Sequence, residues 1–178
     1  MGLAKTRHRM RAPVIAVCAV AILLPAAKPA LALDPGEWSA DAGAGGGLLR
    51  ASGATPSGGS LELGLCRGLT EIFALRAALG VDAYRSAGPT SAQQVISLSL
   101  GTRAALDVVR TIPFAELALV AAAITGDAPH AGAHAGLALA TGAEYLLTPL
   151  WSLAPTVHAH LFPSAATYTA TLHLSRRF

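Results

Sequence analysis

Charged residues are scarce in this chain: Asp, Glu, Lys and Arg make up 13% of its 178 residues, and the mean hydropathy is positive. That composition excludes intrinsic disorder, which needs low hydrophobicity and high charge. The length suggests one domain. Lysine is missing altogether after Lys28, cysteine occurs only as Cys18 and Cys66, and aromatic residues make up 5%. Beyond residue 32 no apolar run reaches the roughly 18 residues of a membrane-spanning helix. The longest runs carry a charge, such as Glu116 in "IPFAELALVAAAITG".

The apolar run that does exist stands at the start. "KTRHRMR" is a basic segment, Ala12 to Ala27 is free of charge, and Ala30-Leu31-Ala32 is a small-x-small cleavage site. Residues 1–32 read as a cleaved, helical signal peptide, and residues 33–178 as one exported domain. A lipoprotein signal at Cys18 is disfavoured by the bulk of Val17 and by the apolar residues that follow. Cleavage removes five of 13 Lys and Arg, leaving 8 Arg against 10 Asp and Glu, so the formal charge moves from +3 to −2. The high pI belongs to the leader, and no nucleic-acid footprint is left. Cys66 stands alone after cleavage, which excludes an intramolecular disulfide.

The period of residues 33–178 is two, the repeat of a strand with one face apolar. "SLELGLCR" sets Leu61, Leu63 and Leu65 against Glu62, Gly64 and Cys66. "IFALRAALGVDAYR" sets Phe73, Leu75, Leu79 and Val81 against Arg76, Gly80, Asp82 and Tyr84. "QVISLSLGTR" sets Ile96, Leu98 and Leu100 against Val95, Ser97, Ser99 and Arg103. Similar strands are expected near 113–125, 134–146, 150–162 and at "YTATLHLSRRF", with a Gly-rich first strand in "EWSADAGAGGGLLRAS". Short turns are expected near 68–71, 106–111 and 147–150. Longer loops are expected near 52–59, 86–91, 126–133 and 162–166. Eight antiparallel strands linked in this way make an up-and-down meander that closes into a barrel without free edges.

The polar face carries Glu62, Arg76, Asp82, Arg103, Glu116, Glu144, His158, His160, His173 and Arg177, whereas the opposite face is Leu-rich and nearly free of charge except Arg176. Turning the polar set toward lipid would cost roughly 2–4 kcal/mol per Arg at the midplane. A soluble barrel of this sequence would expose far more apolar surface than the few hundred Å² tolerated in water. Apolar outside and polar inside is the register a membrane allows. The fold expected is therefore all-β: an antiparallel, up-and-down, eight-stranded transmembrane barrel.

Residues 38–178 resemble a small outer-membrane β-barrel of the OmpA/OmpX kind. "LELGLCRGLTEIFALRAALGVDAYR" and "GAEYLLTPLWSLAPTVHAHLF" are similar to its strand–turn–strand units, with Gly-Leu-Thr and Leu-Leu-Thr-Pro-Leu-Trp at periplasmic turns. Phe178 resembles the terminal signal read by the barrel-assembly machinery. The resemblance implies a cell outer-membrane location, contact with outer-membrane lipid and assembly machinery, and a monomer that is not an enzyme. Its role would be envelope structure, surface contact or slow passage of small solutes.

Three features depart from that pattern. Pro155 lies mid-strand and predicts a bulge or a later strand start. The aromatic girdles are thin, with Trp38, Phe73, Phe114, Tyr145, Trp151, Phe162, Tyr168 and Phe178 as candidates. The register of the first strand is open.

No cofactor and no metal are expected, although His158, His160 and His173 on one wall form a set able to hold Zn²⁺ or Cu²⁺. The competing reading is a polar interior whose histidines bond to Glu, Thr or water. His130 and His134 read as solvated loop residues, and Cys66 as a structural thiol. His173-Leu174-Ser175 resembles the His-x-Ser pattern of outer-membrane lipid A deacylases, but both polar residues point inward by the register above. A lipid-modifying enzyme and a secreted, soluble ligand-binding barrel are the alternatives. Charges of both signs inside favour a salt-bridged plug over a narrow channel.

Overall fold

The computed structural model describes residues 33–51, 55–85, 92–106, 111–126 and 131–178. The expected signal peptide lies outside these residues, as does His130. Eight strands follow in order: β1 (Trp38–Ala51), β2 (Ser57–Gly68), β3 (Phe73–Arg85), β4 (Ala92–Ala105), β5 (Thr111–Thr125), β6 (Gly132–Leu146), β7 (Trp151–Leu161) and β8 (Ala165–Arg177). Each pairs antiparallel with its chain neighbours, and β1 pairs with β8 to close the barrel. Closure leaves no row of unpaired backbone groups along an edge.

Alternation in sequence becomes inside and outside in space. Leu98 is 59% exposed and Leu119 70%, whereas Glu62 is 8% exposed and Asp82 2%. The outward Leu, Ile and Val residues form a continuous belt. The outward arginines of the strands lie only at its rims, Arg50 and Arg85 at the loop end, Arg67 and Arg176 at the end with the termini. The shortest strand, β7, has 11 residues. At about 3.3 Å per residue and a tilt of about 40° it rises about 28 Å, enough to cross an apolar band about 25 Å tall.

The turns at the terminal end reuse one device. Leu69-Thr70-Glu71-Ile72-Phe73 and Leu147-Thr148-Pro149-Leu150-Trp151 share the order Leu, Thr, any residue, branched aliphatic, aromatic. Thr70 Oγ1 accepts from the N–H of Phe73 at 3.0 Å, and Thr148 Oγ1 from that of Trp151 at 3.1 Å. The hydroxyl satisfies an amide that the tight turn leaves without a ladder partner.

Four expectations are corrected. The links at the two ends are alike in length, spanning 52–56, 86–91, 126–131 and 162–164 at one end and 69–72, 106–110 and 147–150 at the other. The strands run on through Ser57–Gly59 and Gly132–Ala133, because backbone pairing persists where no apolar alternation marks it.

Pro155 produces neither a bulge nor a shifted start. The β6–β7 pairing lapses between Gly142↔Thr156 and Tyr145↔Leu153 and resumes in the same register. The missing N–H removes a ladder bond locally, while the β8 side stays paired through Pro155↔Leu172.

Phe114 and Phe162 point inward and are buried, so they are not girdle residues. Trp38, Phe73, Tyr145, Trp151 and Phe178 gather outside the terminal end, leaving Tyr168 alone near the loop end. Arg67 lies over Trp38 and Arg176 over Trp151, 5.4 and 5.7 Å from the ring centres.

The Gly-rich first strand has a fixed register, Ala44 opposing both Leu61 and Leu172. Gly45 there has a steric reason, since a Cβ on it would strike the backbone carbonyl of Ala170.

Candidate functional site: the charged lumen

The lumen is layered. Near the loop end Leu49, Tyr84, Val95, Val120, Ile124 and Phe162 pack into an apolar cluster. Near the terminal end Ala105, Ile112, Phe114 and Ala154 form a second. Between them lie most of the charged groups.

Arg76, in the terminal-end third of β3, organises this middle layer. Its Nη2 donates to Asp41 Oδ1 and to Glu62 Oε1, both at 2.8 Å, and its Nη1 lies 3.4 Å from Glu116 Oε2. Glu116 also pairs with Arg103 at 2.5 Å, and Arg103 reaches Glu144 at 3.8 Å. Glu144 accepts from Arg177 at 2.9 Å and from Ser152 Oγ at 2.6 Å. Arg103 lies 4.2 Å from the centre of the Phe114 ring, which ties the ionic layer to the lower apolar cluster. Such groups are tolerated in a dry interior only when paired and hydrogen-bonded.

The histidines continue the chain of contacts. His173 Nδ1 lies 2.8 Å from Asp41 Oδ1, and its Nε2 lies 2.8 Å from Thr171 Oγ1. His158 Nδ1 is 3.7 Å from Glu62 Oε2, and the His158 and His173 ring centres are 5.6 Å apart. Glu62, His158 and His173 each offer a ligand atom within 4.8 Å of the others. His160 is not part of that trio; it sits edge-on between His158 and Phe162, toward the loop end. Asp82 lies at the same end, opposite Ser60 and outside the Arg76 cluster.

All nine charged and histidine residues singled out inside the barrel, together with Arg177, therefore face the lumen. Asp41, which holds both Arg76 and His173, was not among them. It lies in the Gly-rich strand whose parity the sequence left open. Counting in twos from outward Trp38 would have turned Asp41 inward.

Among the described residues the lumen holds Asp41, Glu62, Asp82, Glu116 and Glu144 against Arg76, Arg103 and Arg177, an excess of two negative charges with neutral histidines. A cavity of about 20 Å³ near the terminal end touches Arg103 and Glu144, room for about one water. His173 and Ser175 are both buried inside, 3% and 6% exposed, so the barrel wall separates them from lipid. Cys66 is a free, fully buried thiol.

Comparison with solved structures decides the fold. Neisserial surface protein A superposes with a TM-score of 0.66 at 16% identity, covering 79% of this chain and 97% of that one. The fold is that of the small outer-membrane barrels. Ail, the attachment invasion locus protein of Yersinia pestis, gives 0.61 at 12% identity, covering 81% and 99%. The outer membrane enzyme PagL gives 0.50 at 15% identity, covering 78% and 98%. No family model matches the sequence, and no curated protein matches it significantly.

Proposed function

We propose that the chain is an integral protein of the bacterial outer membrane, non-enzymatic and monomeric, whose barrel serves as a closed wall element with short links at the cell surface. The observation that carries this reading is the combination of an apolar outer belt with a lumen occupied by the Arg76 network and stopped by apolar side chains at both ends. A conducting pore needs a continuous wet path, and eight strands leave little more than the room that side chains fill. Envelope structure and surface contact therefore fit better than solute passage. Outer-membrane lipid surrounds the belt, and the assembly machinery reads the C-terminal strand ending at Phe178.

The fold alone does not separate wall protein from enzyme, since PagL shares it. The burial of His173 and Ser175 favours the wall protein, because a lipid substrate meets neither side chain from outside the barrel. Purified protein inserted into planar bilayers is expected to show no discrete conductance steps, and lipid A incubated with it to stay intact. Regular single-channel steps would overturn the closed lumen. Deacylated lipid A would overturn the non-enzymatic reading.

A further inference from the structure

We propose that the lumen binds one divalent transition-metal ion, of the Zn²⁺ or Cu²⁺ kind, between Glu62, His158 and His173. This set differs from the three-histidine wall suggested by spacing, because the barrel brings Glu62 to the pair and leaves His160 aside.

Four observations converge on that point. The three side chains come from β2, β7 and β8 and are all buried. Two imidazoles and a carboxylate suit borderline metals better than Mg²⁺ or Ca²⁺, which prefer all-oxygen sets.

Each residue also has an atom left over for a ligand. Glu62 uses Oε1 for Arg76, while its Oε2 lies 3.7 Å from His158, beyond hydrogen-bond range. His158 Nε2 is buried without a hydrogen-bond partner. His173 is held through Nδ1 by the Asp41 carboxylate at 2.8 Å, the carboxylate–histidine arrangement that orients a metal-binding imidazole through its other nitrogen. On binding, Nε2 would exchange the Thr171 hydroxyl for the ion.

The space is provided by Gly43. It pairs with Glu62 on one side and His173 on the other, and a Cβ there would lie 2.5–2.7 Å from three atoms of the His173 ring. Bare backbone between the two ligands lets the ring lie flat against the wall. Two ligand atoms on a tetrahedral ion stand about 3.4 Å apart; the three residues already bring one ligand atom each within 4.8 Å of the others, and side-chain rotation would carry the two Nε2 atoms to the ion. Finally, a dication balances the two negative charges by which carboxylates exceed guanidinium groups in the lumen. Uncompensated charge in a dry interior is strongly unfavourable.

The test uses the full chain expressed in zinc-supplemented cells, extracted from membranes in mild detergent and passed over chelating resin. Metal is then counted by mass spectrometry. Folding is checked by gel mobility without heating. Folded wild-type protein should carry close to one transition-metal ion per chain, with imidazole scattering in its X-ray absorption spectrum. His160→Gln should keep that content. His158→Gln and His173→Gln should each fall at least about tenfold. Folded wild-type protein with essentially no bound transition metal overturns the proposal, whether or not the variants fold. So does undiminished metal in folded His158→Gln.

Discussion

At the scale of single residues, Arg76 is the group on which the lumen depends. It touches three carboxylates, two of them at 2.8 Å, and is itself 6% exposed. Removing one partner of a buried pair leaves charge without compensation, typically a loss of about 3–5 kcal/mol. Arg76→Met is therefore expected to lower the free energy of unfolding in lipid vesicles by about that much, read from urea titration. A change below about 1 kcal/mol would show that Asp41 and Glu62 do not rely on it.

Phe178 presents the opposite case. The residue is 65% exposed, and its backbone closes the barrel through N–H···O contacts with Trp38 at 2.9 and 3.2 Å. Phe178→Ala keeps that closure and forfeits less than the about 1.5–3 kcal/mol of a fully buried Phe. The variant should refold in detergent with an unchanged far-ultraviolet spectrum, while its amount in the outer membrane falls several-fold. Equal amounts in cells would remove Phe178 as an assembly signal.

Strands and turns follow a different logic. Thr148 Oγ1 accepts from Trp151 at 3.1 Å and Leu150 at 3.3 Å, and Thr70 does the same for Phe73 and Ile72. Thr148→Val keeps the shape and deletes the acceptor, so a loss of about 0.5–1.5 kcal/mol is expected in the same urea titration. No change at either Thr70→Val or Thr148→Val would mean that water replaces the hydroxyl freely.

How far each element could be read in advance depended on what marks it. Strands β2 to β4 were legible because Leu, Ile and Val outside oppose mainly polar residues inside, and a one-residue slip would reverse every side chain; in β5 only Glu116 marks the inner face. β1 was obscure because Ala and Gly fill most of its positions, so Asp41 could be placed only by counting from Trp38. The loop ends were overestimated because pairing continues through Gly and Ser without an apolar mark. Pro155 misled because its lost bond is absorbed on one side of the strand only, leaving the register intact.

At the scale of the whole molecule, the interior is more than a polar inside. Val95, Ile112, Phe114, Ile124 and Phe162 turn inward near the strand ends and stop the lumen above and below its ionic layer. These residues interrupt the apolar-out rule, and their spacing alone does not distinguish an internal stopper from an external girdle. Which carboxylate meets which histidine was equally beyond the sequence. It depends on how far each strand is shifted against the next around the closed ring.

The central claim is that the outer belt lies in lipid, and depth dependence tests it most directly. Leu98 and Thr102 both face outward on β4, Leu98 near the middle of the strand and Thr102 near its terminal end. In a bilayer an Arg should cost about 2–4 kcal/mol at the midplane and about 0–1 kcal/mol near the interface. Unfolding free energies of Leu98→Arg and Thr102→Arg in lipid vesicles should therefore differ, with Leu98→Arg the less stable by at least about 1 kcal/mol. Equal stability of the two variants would contradict a membrane-embedded belt, because an aqueous surface accepts arginine at either depth.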